Sequence, residues 1–423
     1  MQEKHHDREK IMCKVSNAIA KSKPAFQRQC LICKGGRLLC GLPSCPILDK
    51  INIQVPCQEK LSESMFGPAP SIFVGWKNYP DVFTGPMAAL SPENAQVLDD
   101  PGKWYGAGFA DIIRMRSLLV RTKIKQNVRA KTKIIEDSQE IALAVNPTDV
   151  EIDFVKKPAY SLGFSTMSQP MGASGILKKL RLAENPKIPK GVDYVVSDDL
   201  NSTDAVSKLR DMGFDVYYLT NVLASGVLGA DERKKLVPTR WSITAIDDML
   251  AKVLMERVRQ YPQINEFMVY TNTYLENHFE VLLIPGNWEF EQFEAWAPKT
   301  LWTMANDQPV IQQDGEGFEG RTDYAINEGG GYYAGRFAAA EAMDRMGRQA
   351  RVVIFREIYE TYIMPVGVWE VRENVRHAFM NKPKKFAALD EALKDIGSRL
   401  RIPTDEYVKR SEVLRQKRLS DYF

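Results

Sequence analysis

The sequence predicts a mixed-sheet core of α/β or α+β class, preceded by a cysteine-bearing N-terminal segment and followed by a C-terminal helical tail. Three observations carry this. Strand-like and helix-like stretches interleave from residue 59 to residue 385. A hairpin pattern over residues 266–284 places antiparallel neighbours in the sheet. With 44% hydrophobic and 26% charged residues among 423, the chain can bury a sizeable core. Composition divides it into 1–58, 59–385 and 386–423, with no internal repeat.

Taken in order, residues 71–75 (SIFVG), 141–145 (IALAV), 150–155 and 194–197 read as short strands. Residues 205–212 read as a helix and 215–219 as a strand. Residues 242–260 form a helix that Ser242 can cap, with Ile246, Leu250, Val253 and Leu254 as its apolar stripe. Residues 266–274 and 278–284 pair around 275–277. An alanine-rich helix follows over 333–346. A strand rich in β-branched and aromatic residues covers 351–362, and helices cover 387–400 and 404–415.

The net charge of +3 is too small to argue for nucleic acid by itself. No apolar run of ~18 residues is present, so no membrane span is expected. The polar N-terminus lacks a signal peptide's apolar core, and a cytoplasmic location is expected.

All six cysteines fall in residues 1–58. Cys30, Cys33, Cys40 and Cys45 lie in CLICKGGRLLCGLPSC. A two-residue gap lets Cys30 and Cys33 face one ion from a tight turn, and Gly35, Gly36 and Gly41 supply backbone freedom for the knuckles. Four thiolates satisfy a structural zinc ion with no open position. An iron–sulfur cluster takes the same donors, and the spacing does not decide between them; four plain thiols remain the alternative to both. Cys13 and Cys57 read as ordinary thiols.

The chain ends QKRLSDYF. Gln416, then Leu419 three later, then Tyr422 and Phe423, is the sliding-clamp (PCNA) docking pattern, a PIP motif. One 3₁₀ turn gathers Leu419 and the two rings into an apolar plug, and the glutamine amide reaches a polar pocket. A chance match at one fixed place is expected in roughly 1 of 10,000 chains of ordinary composition, which favours docking over an incidental tail. A clamp rides on DNA, so the motif implies replication or repair.

Between residues 114 and 133 there are eight Lys/Arg and no acid. If residues 111–125 are helical, Arg114, Arg121 and Lys125 share one face suited to DNA phosphates, or form a merely solvated face. The glycine-rich run 321–336 matches neither the P-loop nor the dinucleotide fingerprint. Gly329, Gly330, Gly331 and Gly335 either let a phosphate approach a helix start or serve close packing. Arg240 with Asp247, and Arg321 with Glu328, are candidates by residue type for a core pocket that binds a nucleotide or metal ion. For Asp247 the plainer reading is an acid favoured by a helix dipole. His278 reads as structural.

The cysteine run with its Cys-Gly-x-x-x-Cys-Pro continuation, the segment LVPTRWSIT at 236–244 and the terminal motif occur together. In this combination the whole chain resembles the archaeal Nre family of DNA-repair proteins. The resemblance implies a C4 zinc finger at Cys30, Cys33, Cys40 and Cys45, a clamp motif at Gln416, Leu419, Tyr422 and Phe423, and a role in the response to DNA damage. Tyr422 departs from the commoner Phe. The resemblance supplies no activity for the core, which either binds damaged or branched DNA or is an enzyme of nucleic-acid or nucleotide processing.

Overall fold

The structure, a computed structural model, describes residues 32–33, 36–42, 44–161, 169–298, 300, 303 and 306–416. The chain forms two compact units, one of Pro46–Leu250 and one of Met1–Cys45 with Ala251–Phe423. The stretch 59–385 contributes to both.

The first unit contains α1 (Pro46–Gln58), β1 (Ser64–Ala69), β2 (Ser71–Val74), β3 (Asp81–Ala89), α2 (Phe109–Ser117), β4 (Leu119–Asn127), α3 (Lys133–Leu143), β5 (Thr148–Phe154) and β6 (Ser174–Leu182). Then come α4 (Lys190–Ser197), α5 (Ser202–Asp211), α6 (Val216–Ala224) and α7 (Thr239–Val258), which continues into the second unit. The sheet order is β1-β5-β6-β4-β3-β2, with β4 and β6 parallel and the other pairs antiparallel. Alternation sets its faces. In β5, Thr148, Val150, Ile152 and Phe154 are buried while the residues between them are partly exposed. Together with Val82, Val120 and Leu177 they pack against Ile135, Ile141 and Ala142 of α3 and Ala224 of α6. Each fully buried Val or Ile there is worth roughly 1.5–3 kcal/mol.

The second unit contains β7 (Phe267–Tyr274), β8 (Asn277–Ile284), β9 (Glu289–Trp296), β10 (Val310–Glu316), α8 (Gly330–Met346), β11 (Arg351–Ile358), α9 (Trp369–Ala378), β12 (Lys384–Phe386), α10 (Leu389–Gly397), α11 (Thr404–Val408) and α12 (Glu412–Arg415). Its sheet runs β10-β9-β11-β8-β7-β12, and only β9 and β11 are parallel. One face, with Leu282, Phe293 and Phe355, packs on Ala392 and Ile396 of α10 and on Tyr407 of α11. Helices α8 and α9 contact the sheet and each other.

Two mixed sheets with helices match the expected fold class. The strands at 71–75, 150–155 and 351–362, the helices at 205–212 and 333–346, and the hairpin all form. Leu275 and Glu276 turn the hairpin at φ 45° and 60°, the left-handed pair whose twist suits a two-residue loop.

Several elements differ. Residues 141–143 end α3, because Ile135, Ser138, Ile141 and Ala142 bury one helical stripe. Residues 194–197 end α4, where Val192 and Val195 are buried one turn apart. Residues 216–219 open α6: the Asp215 carboxylate caps it by accepting from the backbone N–H of Tyr217 and Tyr218 at 3.0 and 2.8 Å. Ser242 lies inside α7, and its hydroxyl donates back to the Pro238 carbonyl at 3.4 Å. The tail helix at 404–415 is two short helices, the second capped by Ser411. No helix among the described residues is long and apolar enough to cross a membrane.

Candidate functional site

The basic stretch is not one helix. It turns from α2 into β4 after Ser117, so Arg114 shares no helical face with Arg121 and Lys125. Arg114 is paired with Asp111 at 2.8 Å on α2. Arg121, Lys123 and Lys125 are alternate residues of β4 and share the sheet face opposite the Val82–Val120 core. The Arg121 guanidinium lies 4.6 Å from the Phe73 ring. Burial and the neighbouring Arg116 lower its pKa, and burial and Arg121 lower that of Lys123. Arg116 is bonded to Asp99.

Arg240 and Asp247 both lie on α7 within the first unit. The Arg240 guanidinium stands 6.0 Å from the Trp76 ring, and Trp241 meets Tyr79 with ring centres 5.1 Å apart. Asp247 is fully buried in the third turn, beyond the reach of the helix-terminal dipole.

Arg321 and Glu328 lie in the second unit, brought together by Asp314 of β10. The Asp314 carboxylate takes the Arg321 guanidinium at 3.3 Å and the backbone N–H groups of Asn327 and Glu328 at 2.9 and 3.0 Å. Around them is a buried polar layer that residue types alone did not point to. Gln292 donates its amide to Glu328. Arg356 of β11 binds Glu294 of β9, Glu370 of α9 at 3.3 Å and the Asn277 amide oxygen at 2.8 and 3.0 Å. Asn374 donates to Glu370 at 2.8 Å.

One guanidinium cannot neutralise three carboxylates in a dry site. Burial, reinforced by Glu294, holds the Glu328 carboxyl well above its ordinary range. Burial pushes Glu370 up to about 7 against the attraction of Arg356. One oxygen each of Glu328 and Gln292 has no hydrogen-bond partner. The cluster can therefore hold a carboxyl protonated near neutral pH, as general-acid chemistry requires. Among the described residues no group of three or more His, Cys, Asp or Glu side chains is arranged to hold a metal ion.

The glycine run packs rather than cradling an anion. A Cβ on Gly335 would stand 1.9 Å from the Gln292 amide oxygen, and one on Gly331 would stand 3.5 Å from a Glu294 carboxylate oxygen. Carboxyls beside the first turn of α8 are unfavourable neighbours for phosphate.

The raised Glu370 pKa fixes the sign of a pH effect. The unfolded chain releases this proton near 4.5 and the folded chain near 7. The contribution to stability is therefore complete below pH 4.5 and lost as pH rises to about 7. Between about pH 5 and about pH 7, wild type should lose stability relative to Glu370→Gln, by at most about 3 kcal/mol. Urea melts at both ends of that window check it, and parallel profiles would contradict it.

His278 is structural as expected, bonded to Thr273 at 2.7 Å and Glu280 at 2.8 Å. Of the cysteine cluster, Cys33 is buried and Cys40 and Cys45 are half-buried, while Cys30 lies outside the described residues. The Cys33 carbonyl accepts from the N–H groups of Gly36 and Arg37, closing a turn, and Gly41 sits at φ 75°. The buried thiol of Cys57 donates to the Ile53 carbonyl at 3.5 Å, and Cys13 lies outside the described residues. Gln416 is exposed after α12; Leu419, Tyr422 and Phe423 lie outside the described residues.

These features define a two-unit protein with a cysteine-rich start, a basic sheet face and a buried carboxyl layer. The family description Archaeal Nre, N-terminal, matches residues 39–303, and Archaeal Nre, C-terminal, matches residues 316–422. The chain is 36% identical over 399 residues to the DNA repair protein NreA of Archaeoglobus fulgidus, covering 93% of this chain and 98% of that one. It is 34% identical over 390 residues to NreB of the same organism, covering 92% and 97%. It is 36% identical over 341 residues to NreA of Haloferax volcanii, covering 78% and 81%. No solved structure matches the chain. The chain belongs to the archaeal Nre family of DNA-repair proteins.

Proposed function

We propose that this chain is a cytoplasmic DNA-repair factor, acting in the DNA-damage response and recruited to the sliding clamp (PCNA) by the PIP motif Gln416, Leu419, Tyr422 and Phe423. The observation that carries the reading is similarity to DNA repair proteins over 93% of the chain, together with that terminal pattern. The last capped helix stops at Arg415, and Gln416, the first residue of the motif, is exposed. The basic strand of the first unit supplies the DNA contact through Arg121 and Lys125, with Arg114 on the adjoining helix.

The N-terminal cysteines hold a structural zinc ion in this reading. The turn that the Cys33 carbonyl closes and the left-handed Gly41 beside Cys40 suit it, and a closed four-thiolate site contributes folding energy of its own. Elemental analysis should give about one zinc per chain, lost in Cys33→Ser. Iron with visible absorbance would overturn the assignment. In an archaeal host lacking its own copy, the full chain should restore survival after DNA damage. Chains ending at Arg415 or carrying Cys33→Ser should not, and full survival with both would contradict the reading.

A second reading is a clamp-tethered enzyme acting on nucleic acids, nucleotides or DNA adducts. The partnerless oxygens of Glu328 and Gln292, with the Glu328 carboxyl held by burial well above its ordinary range, favour it. Turnover of branched DNA that Glu328→Gln abolishes, with clamp binding intact, would carry this reading. No product from wild type would end it.

A further inference from the structure

The sheet face of the first unit carries more than charge. Lys125 stands directly opposite Phe83 of β3, and Lys123 lies beside Ile176 of β6. Phe83 and Ile176 are exposed large hydrophobics, at 37% and 40%. Phe73 of β2 shares the face and supports the Arg121 guanidinium. Among the described residues, the side chains of Arg121, Lys123 and Lys125 have no acidic partner. Of the acids near this face, Glu151 is paired with Arg181 and Asp99 with Arg116, while Asp153 accepts from Ser64 and Asp81 from Asn127. The Arg121 Nε is buried with no hydrogen-bond partner.

Arg121 and Lys123 are partly buried and repel one another, and with the exposed Lys125 beside them they suit an anion from outside. Residues 1–31 do not complement them, holding seven Lys/Arg against three Asp/Glu. The residue types select the anion. A row of cations at every second position of a strand repeats about every 6.6 Å, a spacing that suits the backbone of an extended strand. The Phe83 ring on the neighbouring strand offers a flat surface on which a base stacks, and Ile176 offers an apolar contact beside it. A paired duplex keeps its base faces inside the stack and has no use for Phe83 or Ile176.

We propose that this face binds single-stranded DNA, with Arg121, Lys123 and Lys125 along the phosphates and Phe83 and Ile176 beneath the bases. The proposal rests on the DNA-binding reading above and narrows it to the unpaired form.

The test is fluorescence anisotropy with the full chain, a labelled oligo(dT) and a duplex of equal length. Wild type should prefer the single strand. Lys123→Glu/Lys125→Glu should weaken it by at least tenfold and flatten the salt dependence by roughly 0.7 per lost contact in the log–log slope. Phe83→Ala, at an exposed position that spares the core, should weaken it roughly fivefold to a hundredfold and leave the slope unchanged. A melting curve matching wild type confirms that each variant folds. If wild type binds duplex as tightly as single strand, or folded variants bind oligo(dT) like wild type, the proposal is overturned while DNA binding stands. If wild type binds neither, the DNA-binding reading falls as well.

Discussion

Arg336→Met should destabilise the second unit by about 3–5 kcal/mol, a fall in Tm on the order of 10 °C. Arg336 on α8 and Glu316 on β10 meet at 2.7 Å, and both side chains are completely buried. The guanidinium also lies over the rings of Tyr332 and Tyr333. Methionine fills much of the volume but leaves the Glu316 carboxylate in the interior without its cation. Ionised, it lacks compensation; protonated, it draws on folding energy at neutral pH. Pairing Arg336→Met with Glu316→Leu should recover most of the loss, because the uncompensated charge is then gone. Thermal melts of wild type, both single variants and the double variant complete the cycle. A single-variant loss below about 1 kcal/mol would show that the pair is not the clasp between β10 and α8.

The elements legible in the sequence were those whose residue pattern matched their burial. Val150, Ile152 and Phe154 alternate and are alternately buried; Leu275 and Glu276, within the 275–277 turn read from the sequence, join two strands. The errors share a cause. IALAV and DVYYL are strand-like by residue type, yet one closes the stripe begun at Ile135 and the other opens on a capping aspartate. Tertiary burial and one side-chain cap overrode local preference. The basic stretch failed as a helix because Leu118 ends α2 and β4 pairs with β3 and β6, a non-local event.

The buried polar layer was half legible. Arg321 and Glu328 stand out in a polar loop. Glu294 and Arg356 are embedded in EFEQFEAW and RVVIFREI, where charged residues interrupt apolar ones without a period-2 alternation. Both faces of β9 and β11 are covered, so these charges lie in a dry polar layer. Residue type alone did not show it, because it depends on what packs above the strands.

The clamp contact remains the claim on which the functional account turns. Its expected magnitude is that of a short terminal segment that loses chain entropy on docking, so affinity should be on the order of micromolar. Leu419, Tyr422 and Phe423 fill apolar pockets, and each truncation to alanine should cost roughly 1–3 kcal/mol. The two ring truncations together should take binding beyond detection. Removal of residues 416–423 should abolish docking and leave the melting temperature unchanged, as expected of a terminal docking segment. A peptide of residues 413–423 should compete with the whole protein. The decisive measurement is a calorimetric titration of the purified clamp with wild type, Tyr422→Ala/Phe423→Ala and the chain ending at Arg415. Micromolar binding by wild type, with none by the other two, is the result predicted here; equal binding by all three, or none by wild type well above micromolar concentration, would contradict it.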